Sequence, residues 1–314
     1  MKIFSQLFLT NILRPPLNRL IVLLYLILSL PNALAETKII GDAIEQKENY
    51  IAIDKIHFSI ALGAGVKTNP LVGGDNIPLF IVPSLKYYGE NFYFDNGDLG
   101  YSFFQNEQLT LSAVSRINSE NAYFSRWHPK NIFIFSSASG VNVDSEQIPD
   151  AEPSEIPERI DVKNIHARRW AIDTGLQLNW FLSSRSQVKI QVLHDINGVY
   201  DGFNGRVEYF RQFSPIKSTP FTAQITIGFD WFSKSMVNYY YGINNKDNVD
   251  SALYYQSGSA LNPYIKLHAG YPLSKQWTLF SAISYKALAA SIKDSPIVEA
   301  SNNITGFIGA NYVF

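Results

Sequence analysis

The chain contains 314 residues, carries a formal net charge of −1 and has no cysteine. The lack of cysteine excludes disulfides, zinc fingers and cysteine nucleophiles. A nucleic-acid partner normally requires a basic surface, so the slightly acidic balance argues against one.

Residues 1–35 predict a cleaved signal peptide. Three basic residues lead into the apolar run 20–30, which is shorter than the ~20 residues of a membrane-spanning helix. The run ends at Pro31, and a small-x-small pattern then marks a signal-peptidase site. We therefore predict cleavage after Ala35 and export, followed by a polar periplasmic tail over residues 36–56. A retained anchor helix is the alternative, and the length of the run argues against it.

Residues 57–314 predict an all-β fold, a transmembrane antiparallel β-barrel. Apolar and polar residues alternate through segments 168–182 and 221–231. Lipid-facing and lumen-facing residues alternate in this way along the strands of a membrane barrel. Both segments exceed the roughly 5–6 residues usual for strands and reach the 9–11 that a tilted bilayer crossing needs.

Ten segments predict membrane-crossing strands with short periplasmic turns and longer outer loops, as this class of barrel has. An additional hairpin, 89–106, turns around Asn96-Gly97 and either stays on the periplasmic side or adds two strands. The predicted strand count is therefore ten or twelve. The ten segments are 57–67, 78–88, 107–117, 167–182, 187–196, 205–213, 221–232, 259–272, 276–288 and 303–314.

Segment 118–166 predicts a long extracellular loop. It begins with an aromatic run and then becomes acidic and rich in proline. This composition disfavours a packed core, so we expect a solvated loop or lid.

The last strand carries a predicted assembly signal. Its even positions, from Ile304 to Phe314, are uniformly non-polar. The terminal Phe314, with Tyr312 two positions before it, resembles the signal that the barrel-assembly machinery reads. We expect this machinery and outer-membrane lipid as partners.

No catalytic, cofactor-binding or metal-binding residue is predicted. His194 and Asp195 are adjacent on a strand and so point to opposite sides, which prevents a direct dyad. His128 and His166 lack the spacing of metal ligands. The glycine-rich pieces lack the lysine or helix that a phosphate-binding loop requires.

Charged residues of both signs are predicted to face the lumen. A barrel of this size has an interior filled largely by side chains. A selective pore would favour a ring of one sign, so mixed signs favour ion pairs that plug the lumen. The predicted lumen-facing charged residues are Lys67, Arg116, Arg169, Asp173, Lys189, Asp195, Arg206, Glu208, Asp230, Lys266 and Lys286.

Four pieces of the sequence carry a family resemblance. The first spans 62–101 and includes Leu62-Gly-Ala-Gly65 and Asn91-Phe-Tyr-Phe-Asp95. The other three are Asp195-Ile-Asn-Gly198 with Gly202 and Gly205, Asn238-Tyr-Tyr-Tyr-Gly-Ile243, and Ser295-Pro-Ile-Val298. In this order they resemble the MipA/OmpV family, and the resemblance covers roughly residues 57–314. Segment 118–166 departs from it, being longer and more acidic than the family pattern.

The resemblance implies an outer-membrane barrel without known enzymatic activity. The family's namesake is described as a scaffold that brings a lytic murein transglycosylase together with a bifunctional penicillin-binding protein. Other members are associated with osmotic or antibiotic response and with adhesion to host cells. The family has no catalytic motif to transfer.

Three functions therefore remain open. The first is a scaffold that binds a peptidoglycan hydrolase or synthase. The second is a narrow channel or solute-uptake barrel, suggested by the charged lumen. The third is a surface adhesin that acts through loops 118–166 and 233–258.

Overall fold

The computed structural model describes residues 54–134, 158–213 and 220–314. The predicted signal peptide, its cleavage site and nearly all of the predicted tail lie outside these residues. So do the turn at 214–219 and the acidic stretch 135–157. Every helix in the described part of the chain is too short or too polar to cross a bilayer.

Twelve antiparallel strands of the described chain pair with their sequence neighbours, and β12 pairs with β1 to close the barrel. The predicted fold class is confirmed, at the higher of the two strand counts. The strands are β1 (Ile56–Lys67), β2 (Ile77–Tyr88), β3 (Phe92–Asp95), β4 (Asp98–Gln105), β5 (Leu109–Ile117), β6 (Ile172–Ser183), β7 (Ser186–Asp195), β8 (Phe203–Phe213), β9 (Thr222–Phe232), β10 (Ala260–Pro272), β11 (Trp277–Ala287) and β12 (Asn302–Val313).

The alternation read from the sequence sorts residues to the two faces of the wall. On β12, Ile304 and Ile308 are exposed on the outside, whereas Asn303, Thr305 and Phe307 are buried. The outward residues are apolar because a closed barrel in lipid satisfies its backbone internally and presents only side chains to the hydrocarbon.

The closing seam between β1 and β12 is built on glycine. Gly63 pairs directly with Gly309. A Cβ on either residue would overlap the backbone of the opposite strand. At the end of the seam, the Phe314 ring stacks on Phe58 with centroids 5.1 Å apart. The missing side chains allow the first and last strands to approach closely.

The β3–β4 hairpin belongs to the barrel wall. Asn96 and Gly97 both have positive φ, 52° and 94°, as a two-residue turn that matches the twist of paired strands requires. However, β3 pairs with β2 only over Lys86–Tyr88. Asn96 then bonds both backbone groups of Leu85, and the rest of this β2 edge has no strand partner among the described residues. Pro83 lies on this edge, where the lack of an N–H costs no ladder bond.

The long connections form a packed cap at one end of the barrel. It comprises residues 68–76, 158–171, 196–202, 233–259 and 288–301. Its core includes the fully buried Leu71, Tyr240, Tyr241, Ile292 and Ile297. The cap contains α2 (Lys234–Tyr241), α3 (Ala290–Lys293) and 3₁₀ turns at Val162–Asn164, Asn245–Asp247 and Ser251–Leu253.

Residues 118–134, here called the plug segment, enter the barrel. They contain a 3₁₀ turn at Glu120–Tyr123 and the one-turn helix α1 (Pro129–Ile132). Ile134 packs against an apolar cluster that includes Leu79 and Phe307. The prediction of a solvated loop is therefore wrong for this part of 118–166.

Candidate functional site

The plug segment is tied to the barrel wall by polar side chains. Lys67 donates to Asn131 Oδ1 at 2.7 Å. Lys130 Nζ lies 2.5 Å from Asp98 Oδ1 at the start of β4. Asn131 Nδ2 in turn donates to Ala122 O at 2.8 Å, which closes the segment on itself. These bonds satisfy polar groups that burial would otherwise leave unpaired.

One carboxylate in the lumen serves two cations. Asp230 Oδ1 lies 2.7 Å from Arg206 Nε, and its Oδ2 lies 2.7 Å from Lys286 Nζ. The three residues project from β8, β9 and β11. Because Asp230 is 2% exposed, this bridge stays almost dry and is weakly screened.

A second carboxylate has the same arrangement nearer the middle of the strands. Glu208 Oε1 accepts hydrogen bonds from Lys266 and from the Tyr264 hydroxyl, both at 2.7 Å. Its Oε2 lies 3.3 Å from Lys189 Nζ. Again one negative charge is shared by two positive charges.

A hydrogen-bonded network of one carboxylate and three neutral donors lies at the cap end. The carboxylate of Asp173 accepts from Tyr200 at 2.6 Å, Asn118 at 2.6 Å and Asn204 at 2.8 Å. Burial raises the pKa of the Tyr200 hydroxyl above its ordinary value, and the adjacent Asp173 adds to the shift. The network therefore holds Tyr200 as a neutral donor.

Asp195 shapes a turn instead of pairing with a cation. Its Oδ2 accepts the backbone N–H groups of Val199, Tyr200 and Asp201 at 2.5, 2.7 and 3.0 Å. His194 faces the other way, with its ring centroid 4.5 Å from that of Phe203. The two adjacent side chains do not meet.

One predicted lumen residue lies elsewhere. Arg169 is exposed and precedes β6, which begins at Ile172 and not at residue 167. Its backbone N–H donates to the Tyr239 hydroxyl at 2.7 Å in the cap. The alternation was extended five residues too far toward the N-terminus, so the lumen prediction for Arg169 is wrong. The structure brings the other ten predicted residues to the interior: Lys67, Arg116, Asp173, Lys189, Asp195, Arg206, Glu208, Asp230, Lys266 and Lys286.

Sequence reasoning missed several interior polar residues. Asp98 lies in the β3–β4 hairpin, for which the sequence allows two positions. Glu120 and Lys130 lie in the plug segment, which the sequence predicts to be solvated. Tyr264 could have been found, since it shares the polar face of its strand with Lys266. Glu120 and Lys130 lie outside the strands and carry no periodic signal.

Burial shifts the pKa values of two side chains in the plug segment, Glu120 and His128. It raises the pKa of Glu120, whose carboxylate accepts a hydrogen bond from Tyr241. Burial likewise lowers the pKa of His128 to about 4, and the positive charges of Lys67 and Lys130 add to that shift. At neutral pH the imidazole is therefore uncharged.

Two cavities remain between these groups. The first has a volume of about 160 Å³ and lies beside the plug segment. The second, of about 220 Å³, extends toward the barrel end that carries the short turns. Asp98, Arg206 and Lys266 line both cavities. No cluster of three or more potential metal ligands occurs in the residues described.

The sequence matches the profile of the family described as MltA-interacting protein MipA over residues 60–314, which is most of the chain. The chain belongs to the MipA family. The resemblance inferred from the four sequence pieces is thereby confirmed. The match extends to the last residue and so includes the closing strand of this MipA-family barrel.

Named proteins similar to this MipA-family chain include the following two. The MltA-interacting protein of Escherichia coli K12 is 25% identical over 260 residues, covering 82% of this chain and 90% of its own. The outer membrane protein OmpV of Vibrio cholerae is 25% identical over 218 residues, covering 69% and 71%. Together with the closed barrel, these names place the chain in the outer membrane of a Gram-negative bacterium.

Solved structures are also similar to this MipA-family barrel. The NanC porin is 9% identical with a TM-score of 0.35, covering 82% of this chain and 99% of its own. A Pseudomonas aeruginosa FadL homologue is 11% identical with a TM-score of 0.36, covering 82% and 76%.

Proposed function

We propose that this chain is a non-enzymatic scaffold that links the outer membrane to enzymes remodelling peptidoglycan, of the lytic transglycosylase or penicillin-binding class. The observation that carries the proposal is the interior of the barrel, which is occupied by shared ion pairs and by the plug segment. A barrel whose interior is occupied in this way leaves its surfaces to bind a macromolecular partner. A relative named for interaction with MltA supports a partner of this class.

The interior chemistry gives little support to catalysis. Its carboxylates are engaged by cations or by hydrogen-bond donors, as Asp230 and Asp195 are. A general base needs a free lone pair within hydrogen-bond reach of a substrate proton. His268 is buried in the wall, and His128 caps α1 by accepting the Lys130 N–H at 3.1 Å.

The partner surface is proposed at the end with the short turns. Cell-wall enzymes lie in the periplasm, and short turns face the periplasm in this class of barrel. The described part of this end exposes Glu90, Glu107, Arg185 and Lys275. Charged rims of this kind set the rate and selectivity of association.

A binding assay tests the scaffold. The folded barrel in mild non-ionic detergent is immobilised and probed with a purified lytic transglycosylase and, separately, a bifunctional penicillin-binding protein. We expect binding that weakens by about tenfold or more when the four turn charges are reversed together. A matched control reverses four exposed charges of the cap, Lys246, Asp250, Lys293 and Glu299, and should bind like the parent. Failure of the parent to bind either enzyme rejects the proposal.

The two alternatives have weaker support. A channel requires a continuous aqueous path, and the plug segment lies in the lumen, held to the wall through Lys67 and Asp98. An adhesin acting through 118–166 needs that loop at the surface, but its residues 118–134 lie inside the barrel. Loop 233–258 packs α2 into the cap core.

A further inference from the structure

The cavity beside the plug segment has an excess of positive charge. Its lining contains six cationic side chains and three carboxylates. The cations are Lys67, Arg116, Lys130, Arg206, Lys266 and Lys286, and the carboxylates are Asp98, Glu120 and Asp230.

The carboxylates cannot neutralise this excess. Asp98 pairs with Lys130 alone, and Asp230 is shared by two cations. Glu208, which lies behind Lys266, is also shared by two cations. Glu120 accepts from the Tyr241 hydroxyl, and burial raises its pKa, which favours its neutral form. Each group of two cations and one shared carboxylate therefore has a net charge of +1.

Two of the cations have only neutral hydrogen-bond partners. Lys67 donates to Asn131 Oδ1, and Arg116 donates to Gln191 Oε1 at 3.2 Å and Asn204 Oδ1 at 3.1 Å. No carboxylate of the residues described lies within the 4.0 Å of an ion pair from either side chain. Arg116 Nε is buried without a hydrogen-bond partner.

Buried cations of this kind require a counter-charge. Withdrawing a charge from water is costly unless an opposite charge and hydrogen bonds replace the lost solvation. A guanidinium presents its donors in a planar fork that fits the two oxygens of a carboxylate or phosphate. Arg116 therefore offers the geometry, and Lys67 a second charge, for a negatively charged group placed between them.

We propose that this cavity is a binding site for a small oxyanion, a solute carrying phosphate or carboxylate groups. Its volume of about 160 Å³ has room for roughly five water molecules, enough for inorganic phosphate or a small organic acid. The second cavity, which shares Asp98, Arg206 and Lys266, provides the approach from the end with the short turns. This proposal rests on the lumen alone and does not depend on the scaffold function.

Calorimetric titration of the folded full-length barrel with inorganic phosphate, in non-ionic detergent and low chloride, tests the site. We expect one-to-one binding that weakens as chloride is added, because chloride competes for the cations and salt screens them. Lys67→Met should lower the affinity by about tenfold or more. Lys246→Met removes the same charge from an exposed position of the cap and should leave the affinity unchanged.

A second variant keeps the cations and supplies the missing carboxylate. Gln191→Glu places a carboxylate against the Arg116 guanidinium with no change in size. It should also weaken phosphate binding by about tenfold, whereas the exposed Gln276→Glu should not. Heat-modifiable migration in gels verifies folding of each variant, and if Lys67→Met fails to fold, Gln191→Glu decides alone. No phosphate binding by the parent, or unchanged affinity in folded Lys67→Met or folded Gln191→Glu, overturns the proposal.

Discussion

Individual side chains inside this barrel are held by shared charges. Asp230 joins Arg206 and Lys286, and removal of the carboxylate would leave the two cations facing each other. Breaking a buried ion pair is far more damaging than never having formed it, because the remaining charge stays desolvated.

Asp230→Asn should therefore destabilise the barrel by about 3 kcal/mol although it changes no volume. Urea unfolding in lipid vesicles, followed by the loss of heat-modifiable migration, measures the change in free energy. Asp294→Asn removes an exposed carboxylate from the cap and serves as the control. Equal stability of the two variants would show that the Asp230 bridge is not needed.

The stability of the packed plug segment depends on pH through His128. Burial lowers its pKa to about 4, and an opened segment would return it to about 6.5. Above pH 6.5 the imidazole is neutral in both states and the packing has its full stability. Between pH 6.5 and 4 only the opened state binds the proton, so stability falls by about 1.4 kcal/mol per pH unit.

Lowering the pH from 7 to 5 should thus weaken the packing of the plug segment by about 2 kcal/mol. Hydrogen-exchange protection factors of residues 118–134, corrected for the intrinsic pH dependence of exchange, measure this. His128→Asn keeps an acceptor for the Lys130 N–H and should abolish the pH effect, while the exposed His166→Asn should preserve it. Protection that is identical at the two pH values would contradict the assignment.

At the scale of elements, the seam between β1 and β12 decides whether the barrel closes. Gly63 and Gly309 face each other there, and a side chain on either would meet backbone atoms that cannot rotate away. Gly306 lies on the same strand, but a Cβ there meets nothing within 4 Å. The seam thus contains glycines that leave no room for a side chain, Gly63 and Gly309, and one that does, Gly306.

Gly63→Val should destabilise the folded barrel by about 2 kcal/mol or more, since overpacking against backbone forces the strands apart. Gly306→Ala, in the same seam, should be tolerated. The fraction of heat-modifiable folded protein after refolding into detergent micelles compares the two variants. Similar folding yields would show that the close approach of the strands is dispensable.

At the scale of the whole molecule, the barrel is a filled body. Ion pairs between neighbouring strands line its described interior, and the plug segment enters it. Such a body can carry a partner or a bound anion, but it offers no wide path for solutes.

In planar bilayers the parent protein should therefore give no discrete conductance steps. Replacing residues 119–134 by a glycine–serine linker of equal length should produce steps, because it removes Glu120, Lys130 and Asn131 from the lumen. The same replacement over residues 245–253 of the cap should leave the barrel silent. Stable steps from the parent would favour the channel alternative over the scaffold.

The sequence by itself determined the wall of the barrel and its outer-membrane location. The period of two along 221–231, the strand lengths and the non-polar even positions of 303–314 are local consequences of backbone geometry in contact with lipid. They could be read without knowing which strand neighbours which. The ten interior charged residues follow from the same alternation, and Arg169 was misplaced only because the alternation was extended beyond the end of β6.

Only the tertiary structure decided whether the β3–β4 hairpin joins the wall and which residues fill the barrel interior. The β3–β4 hairpin could pair with the sheet or remain outside it, and β3, four residues long, gives too short a pattern to choose. The plug segment enters because Lys67 and Asp98, on distant strands, meet Asn131 and Lys130. The neutral partners of Arg116 come from positions 75 and 88 residues away. Such contacts depend on strand register and barrel closure, and neither leaves a signal in the local order of residues.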